Sequence, residues 1–150
     1  MERKIIFEGD PTLRKISKPV VLFDSRLHEL LEDMADTMYK ADGAGLSAVQ
    51  VGVLKRVFVI DTGNGLKEFI NPIITKQSGE NKIKEEGCLS VPNKYGYVVR
   101  PETVWVTFQD RYGNTFSDKF KGYEAKAICH EYDHLDGILY IDKATKIKNT

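Results

Sequence analysis

Two histidines four residues apart, with a glutamate directly after the first, define the segment Cys129-His130-Glu131-Tyr132-Asp133-His134. On an α-helix a four-residue step brings side chains nearly back into line, so His130 and His134 can grip one metal ion together. Glu131 then lies beside the first ligand, where a carboxylate can handle the proton of a metal-activated water. The chain has only three His in 150 residues, and chance produces such an arrangement roughly 0.4 % of the time. The chemistry indicated is hydrolysis at a metal centre.

A tetrahedral catalytic site takes three protein ligands and keeps a fourth position for water. Downstream, Gly137 and Tyr140 continue a metzincin-like spacing, but Tyr140 stands where the third His of that pattern belongs. No Glu follows Glu131, so a thermolysin-like ligand is missing as well, and the third ligand is expected upstream. Cys129 precedes His130 by one helical position, about 100° around the axis, and cannot converge on the same ion. Cys88, within Glu86-Gly87-Cys88-Leu89-Ser90, is the natural candidate. A thiolate binds borderline metals strongly, and Gly87 lets the chain pass close to a site. A lone Cys in a short apolar stretch also reads as a small buried residue. His28 has charged neighbours and no chelating partner at i+4, and is expected at the surface.

The elements that must position these residues follow from periodicity. Residues 1–23 begin as a strand and continue as an arm, interrupted by Pro11 and Pro19, that wraps the domain. Leu27, Leu30, Leu31, Met34 and Met38 recur at helical spacing, capped by Asp24 or Ser25 and ended by Gly43. Residues 43–52 are small and glycine-rich, without the Lys and Ser/Thr of a phosphate loop. They read as a turn and a short buried strand in which the Gln50 amide needs a partner. Strands are expected at 56–60, 67–75 (with Asn71-Pro72 marking an edge or a bend), 82–85, 97–110 and 114–121. A helix over 123–136 is stopped by Gly137, then 138–141 form a last short strand before a charged tail. The whole is an α+β chain, with antiparallel β-sheets packed around a central helix bearing the HExxH residues and one further N-terminal amphipathic helix. We expect a single domain over 1–150.

Formal net charge is zero with 29 % charged residues, which gives no electrostatic footprint for nucleic acid or an anionic membrane. The N-terminal apolar run is too short for a signal peptide, and nothing approaches the ~20 apolar residues of a membrane span. A cytoplasmic protein is expected, whose Cys88 and Cys129 stay reduced.

Taken together, three segments resemble the peptide deformylase family. Gly43-Ala44-Gly45-Leu46-Ser47-Ala48-Val49-Gln50 follows its GxGLAAxQ motif except at Ser47. Glu86 to Ser90 matches EGCLS, and His130 to His134 matches HExDH. Asp10-Pro11-x-Leu13-Arg14 and Asp136-Gly137-x-Leu139-Tyr140-x-Asp142 extend the similarity over nearly the whole chain. The resemblance implies that Cys88, His130 and His134 are metal ligands and Glu131 the general acid/base. It implies that Gln50 and the Leu89 backbone N–H hold the oxyanion, and that backbone groups of Gly45 and Gly87 pair with the substrate as an added strand. The implied reaction removes the formyl group from N-formylmethionyl peptides and releases formate. The implied ion is Fe(II), with Ni(II), Co(II) or Zn(II) able to replace it. Ser47 in place of Ala is expected to be harmless, and Cys129 stands where many members have Gln. The short tail after Asp142 lacks the C-terminal helix that some members use on the ribosome, which leaves ribosome association open. The protein is expected to act as a monomer.

Two other readings are a general HExxH metallopeptidase, disfavoured by the missing downstream ligand, and an idle metal or formyl-peptide binding module. Outside the motifs, Asp133 is expected to pair with a strand cation such as Arg100 and fix the metal helix against the sheet.

Overall fold

A computed structural model describes residues Met1–Thr150. In chain order its strands are β1 (Gly45–Ser47), β2 (Val57–Ile60), β3 (Lys67–Ser78), β4 (Glu85–Cys88), β5 (Val91–Tyr97), β6 (Thr103–Gln109), β7 (Thr115–Lys121) and β8 (Thr145–Asn149). They form a five-stranded sheet ordered β1-β2-β3-β6-β7 and a three-stranded sheet ordered β4-β5-β8. All the strand pairs are antiparallel. With helices α1 (Ser25–Lys40) and α2 (Gly122–His134) this is an α+β architecture. Neither helix is long and apolar enough to cross a membrane.

The Asp24 carboxylate accepts from the Leu27 N–H and caps α1. The stripe Leu27, Leu30, Leu31, Met34 and Met38 is buried against Leu46, Val57, Val59 and Ile70. The helix ends at Lys40, earlier than Gly43, and Asp42 takes the left-handed conformation (φ 58). A Cβ on Gly43 would lie 2.6 Å from Leu89 Cδ1, so the tip of Leu89 would have to shift to admit it.

The inner face of α2 sends Ala125, Ile128 and Cys129 into a second core with Phe58, Phe69, Val104 and Phe120. Phe69 is central to it, with ring centroids 4.8 Å from Phe58, 4.6 Å from Phe108 and 5.4 Å from Phe120. α2 stops at His134, two residues before the expected end. Gly137 follows with φ 74, and a Cβ there would lie 2.4 Å from the Arg14 carbonyl oxygen, because the N-terminal arm crosses it.

Several expected strands differ from the observed ones. Residues 1–7 form no strand, although Ile6 donates to the Gln50 carbonyl and Glu8 to that of Ser90. The run 97–110 is split into β5 and β6, which belong to different sheets, with Pro101 in the connection lacking an N–H for a ladder. Residues 138–141 form no strand. Tyr140–Asp142 make a 3₁₀ turn held by Asp142, and the adjacent Leu139 and Tyr140 are both buried with Leu13, Val91 and Val98. The charged tail is β8, an exposed edge strand held to β5 by its backbone. Asn71-Pro72 bends β3 by a bulge in the middle of its sheet, with Asn71 at φ 50. The Asn71 amide anchors the arm through both the N–H and the carbonyl of Val20.

Candidate active site

The exposed edges of the two sheets meet above α2. β1 ends one sheet and β4 the other, and Gly45 and Gly87 on them line a cavity shared with Gln50, Leu89, His130 and Glu131. The three motif segments, far apart in sequence, converge there.

His130 and His134 bring their Nε2 atoms within 3.3 Å of each other, and the Cys88 Sγ lies 3.4 Å from His134 Nε2. One ligand atom from each of these three residues lies within 4.8 Å of the others, and both imidazoles are buried. His130 Nδ1 contacts a Glu86 carboxylate oxygen at 2.5 Å. As a donor to that carboxylate, Nδ1 keeps its proton, and the bond turns Nε2 toward Cys88 and His134. Burial, reinforced by the nearby His130, pushes the His134 ring well below its usual pKa and keeps it neutral. Burial opposes charge on the His130 ring, but Cys88 and Glu131 beside it and its bond to Glu86 outweigh this and raise its pKa well above the usual value, so the cluster favours positive charge among its donors. The donor set therefore fits a metal, and its thiolate and imidazoles suit a transition metal better than Mg or Ca.

Glu131 lies alongside, Oε2 3.8 Å from His130 Nε2. The Ser47 hydroxyl donates to Glu131, with Oε1 at 2.9 Å and the backbone carbonyl at 3.0 Å as its two acceptors. Burial pushes the Glu131 carboxyl up to about 6, against His130 and the Ser47 hydrogen bond, which hold it down. Gly45 leaves room for this carboxylate, since a Cβ there would meet Oε2 at 2.6 Å.

Gln50 finds the partners its burial demands. Its carbonyl oxygen accepts from the Ser47 N–H at 2.9 Å, which turns Nε2 toward the Ser90 hydroxyl (3.0 Å) and the Cys88 sulfur (3.6 Å). Leu89, half-buried, follows Cys88 at the cavity wall.

His28 is remote from this cluster, with Nε2 bonded to the Arg111 carbonyl at 2.9 Å. Cys129 packs into the sheet-facing core, and burial pushes its thiol up to about 11. Tyr140, at the metzincin His position, lies beside His130 with ring centroids 6.1 Å apart.

Arg100 donates to Asp133 at 2.7 Å, as the sequence suggested, but from the connection between β5 and β6 rather than from a strand. It also forks onto Glu86, with Nε and Nη2 at 3.1 and 2.7 Å, while Lys126 Nζ adds a bond at 3.1 Å. Burial works against ionisation of Glu86, but the bonds from His130 and Arg100 outweigh it and hold the carboxyl far below the usual range. Sequence reasoning missed Glu86 and Lys126. Glu86 stands two residues before Cys88, the spacing that places side chains on one face of a strand, and Lys126 stands four before His130 on one face of the helix.

The sequence pattern of polypeptide deformylases matches residues 2–150. The chain belongs to the polypeptide deformylase family. A peptide deformylase of Caldicellulosiruptor bescii is 55 % identical over 144 residues, covering 96 % of this chain and 86 % of the relative. The crystal structure of peptide deformylase from Thermotoga maritima superposes with a TM-score of 0.94 at 42 % identity, covering 97 % of this chain and 99 % of that one. A peptide deformylase from Acinetobacter baumannii with Met-Ala-Ser bound gives a TM-score of 0.91 at 32 % identity, with 95 % and 98 % covered. Members of this family are metal-dependent.

Proposed function

We propose that this protein is a peptide deformylase, which hydrolyses the formamide of N-formylmethionyl peptides and acts as one catalytic unit over 1–150. Membership of the family carries this reading. In the proposed roles Cys88, His130 and His134 hold one divalent ion, supported by the convergence of their donor atoms. Fe(II) is the proposed ion, with Ni(II), Co(II) or Zn(II) able to replace it. When bound, such an ion lowers the pKa of a water and polarises a carbonyl oxygen.

The chain's own groups do the rest. Glu131 takes a proton from the attacking water and passes it to the amine nitrogen as the C–N bond breaks, giving formate and a free α-amine. Its carboxyl is held near neutrality, where both transfers are possible. Gln50 Nε2 and the Leu89 N–H donate to the oxygen that becomes negative, and one such donor is worth about 2.7–4 kcal/mol. Gly45 and Gly87, on facing sheet edges, pair with the peptide backbone as an added strand. The bound Met-Ala-Ser of the Acinetobacter baumannii relative supports a peptide of this size as ligand. We place the enzyme in the cytoplasm as a monomer acting on nascent chains.

The test is formate release from formyl-Met-Ala-Ser by anaerobically prepared, metal-loaded protein. Glu131→Ala is expected to abolish it and to retain the metal. No formate from the loaded protein overturns the reading, and cleavage of internal peptide bonds would favour a general HExxH peptidase.

A further inference from the structure

Tyr123, Lys126, Ala127 and His130 fall on one face of α2, and all four wall the cavity that also holds Gln50 and Leu89. Lys126 is only 3 % exposed, and an ammonium group has three hydrogens to donate. One goes to Glu86 Oε1 at 3.1 Å, and no second protein acceptor takes another. Glu86 cannot, because Arg100 Nε and Nη2, His130 Nδ1 and Lys126 already fill its four lone-pair positions. The remaining donors of a nearly dry cation therefore have the cavity as their outlet, and leaving them without a partner is costly. Glu86, 3.1 Å away, already serves Lys126 as its counter-ion, and Lys143 shares Asp133 with Arg100. What the ammonium lacks is a hydrogen-bond acceptor and not a counter-ion.

We propose that Lys126 is a specificity-determining residue, which makes the cavity favour a first side chain ending in a neutral hydrogen-bond acceptor, such as a sulfoxide or an amide, over an aliphatic chain of the same length. The inference rests on the deformylase reading and adds to it a substrate class: peptides whose formylated first residue carries a polar tip, oxidised methionine among them. A site built to donate to a ligand rejects an analogue without the acceptor, because its own donor is then buried unpaired.

The experiment compares three peptides on one metal-loaded preparation: formyl-Met-Ala-Ser, its methionine sulfoxide form, and its norleucine form. The wild-type kcat/KM ratio of sulfoxide to norleucine is expected to be roughly tenfold or more, the scale of one hydrogen bond to a charged group. In Lys126→Met, similar in length and without the donor, the ratio is expected to fall to about one. Taking a ratio within one preparation cancels any loss of active fraction. Should Lys126→Met not fold, the wild-type ratio decides alone. Turnover of formyl-Met-Ala-Ser with a wild-type ratio at or below one, or a Lys126→Met ratio equal to the wild-type value, overturns this inference and leaves the deformylase reading standing. Absence of formate from all three peptides overturns both.

Discussion

Replacing Arg100 with Leu tests whether the support behind the metal helix is as important as its geometry suggests. The substitution removes three hydrogen bonds: two to Glu86 at 3.1 and 2.7 Å and one to Asp133 at 2.7 Å. The side chains of Arg100 and Glu86 are each 4 % exposed and that of Asp133 is 13 % exposed, so little water replaces what is lost. Breaking a buried ion pair from one side costs about 3–5 kcal/mol, mostly the penalty of a buried charge left behind. Lys126 stays with Glu86 and Lys143 with Asp133 at 3.0 Å, which places the expected loss near the lower end. For a domain of this size, a loss of about 3 kcal/mol lowers Tm by about 6–12 °C. Glu86 also orients His130, so its displacement is expected to weaken metal binding about 10–100-fold. Thermal unfolding of metal-free protein and competition with a chelator read the two effects separately. A Tm within about 2 °C of wild type together with a metal affinity within about twofold would refute the idea that this ion cluster positions the ligand helix.

Three further outcomes are expected. Gly45→Ala puts a Cβ 2.6 Å from Glu131 Oε2 and should lower kcat about 100-fold by displacing this proposed acid/base group, with metal content unchanged; formate release beside metal analysis checks it. Phe69→Ala opens the centre of the aromatic core and should destabilise by about 3–5 kcal/mol in denaturant unfolding. Arg14 forks onto Asp142 at 2.5 and 3.0 Å and, by that hydrogen bond, holds its carboxyl below the ordinary 3.8. A depressed carboxyl stabilises the fold above its unfolded pKa and loses that contribution as pH falls through the folded one. Asp142→Asn should therefore cost up to about 1 kcal/mol near neutral pH, and the Tm gap from wild type should narrow between about pH 5 and about pH 2.

The sequence determined a good deal by itself. The four-residue spacing of His130 and His134 is a property of any helix, so their shared direction, and the exclusion of Cys129 from it, were legible without coordinates. The stripe of α1 followed from periodicity for the same reason: burial on one face leaves its period in the sequence. Apart from the Arg100–Asp133 pair, what lies behind the proposed metal donors was not legible, because it depends on residues remote along the chain. Glu86 meets His130 across 44 positions, Ser47 meets Glu131 across 84, and Arg14 meets Asp142 across 128. The exposed strand β8 left no mark either, since backbone bonds hold it and no buried face constrains its residues. Local spacing fixes which groups can act together, and only the packing of distant segments decides which oxygen faces which proton. Lys126 illustrates the difference: in sequence it is one more charge on a helix, and in the fold it is a buried side chain on the cavity wall whose one hydrogen bond goes to Glu86.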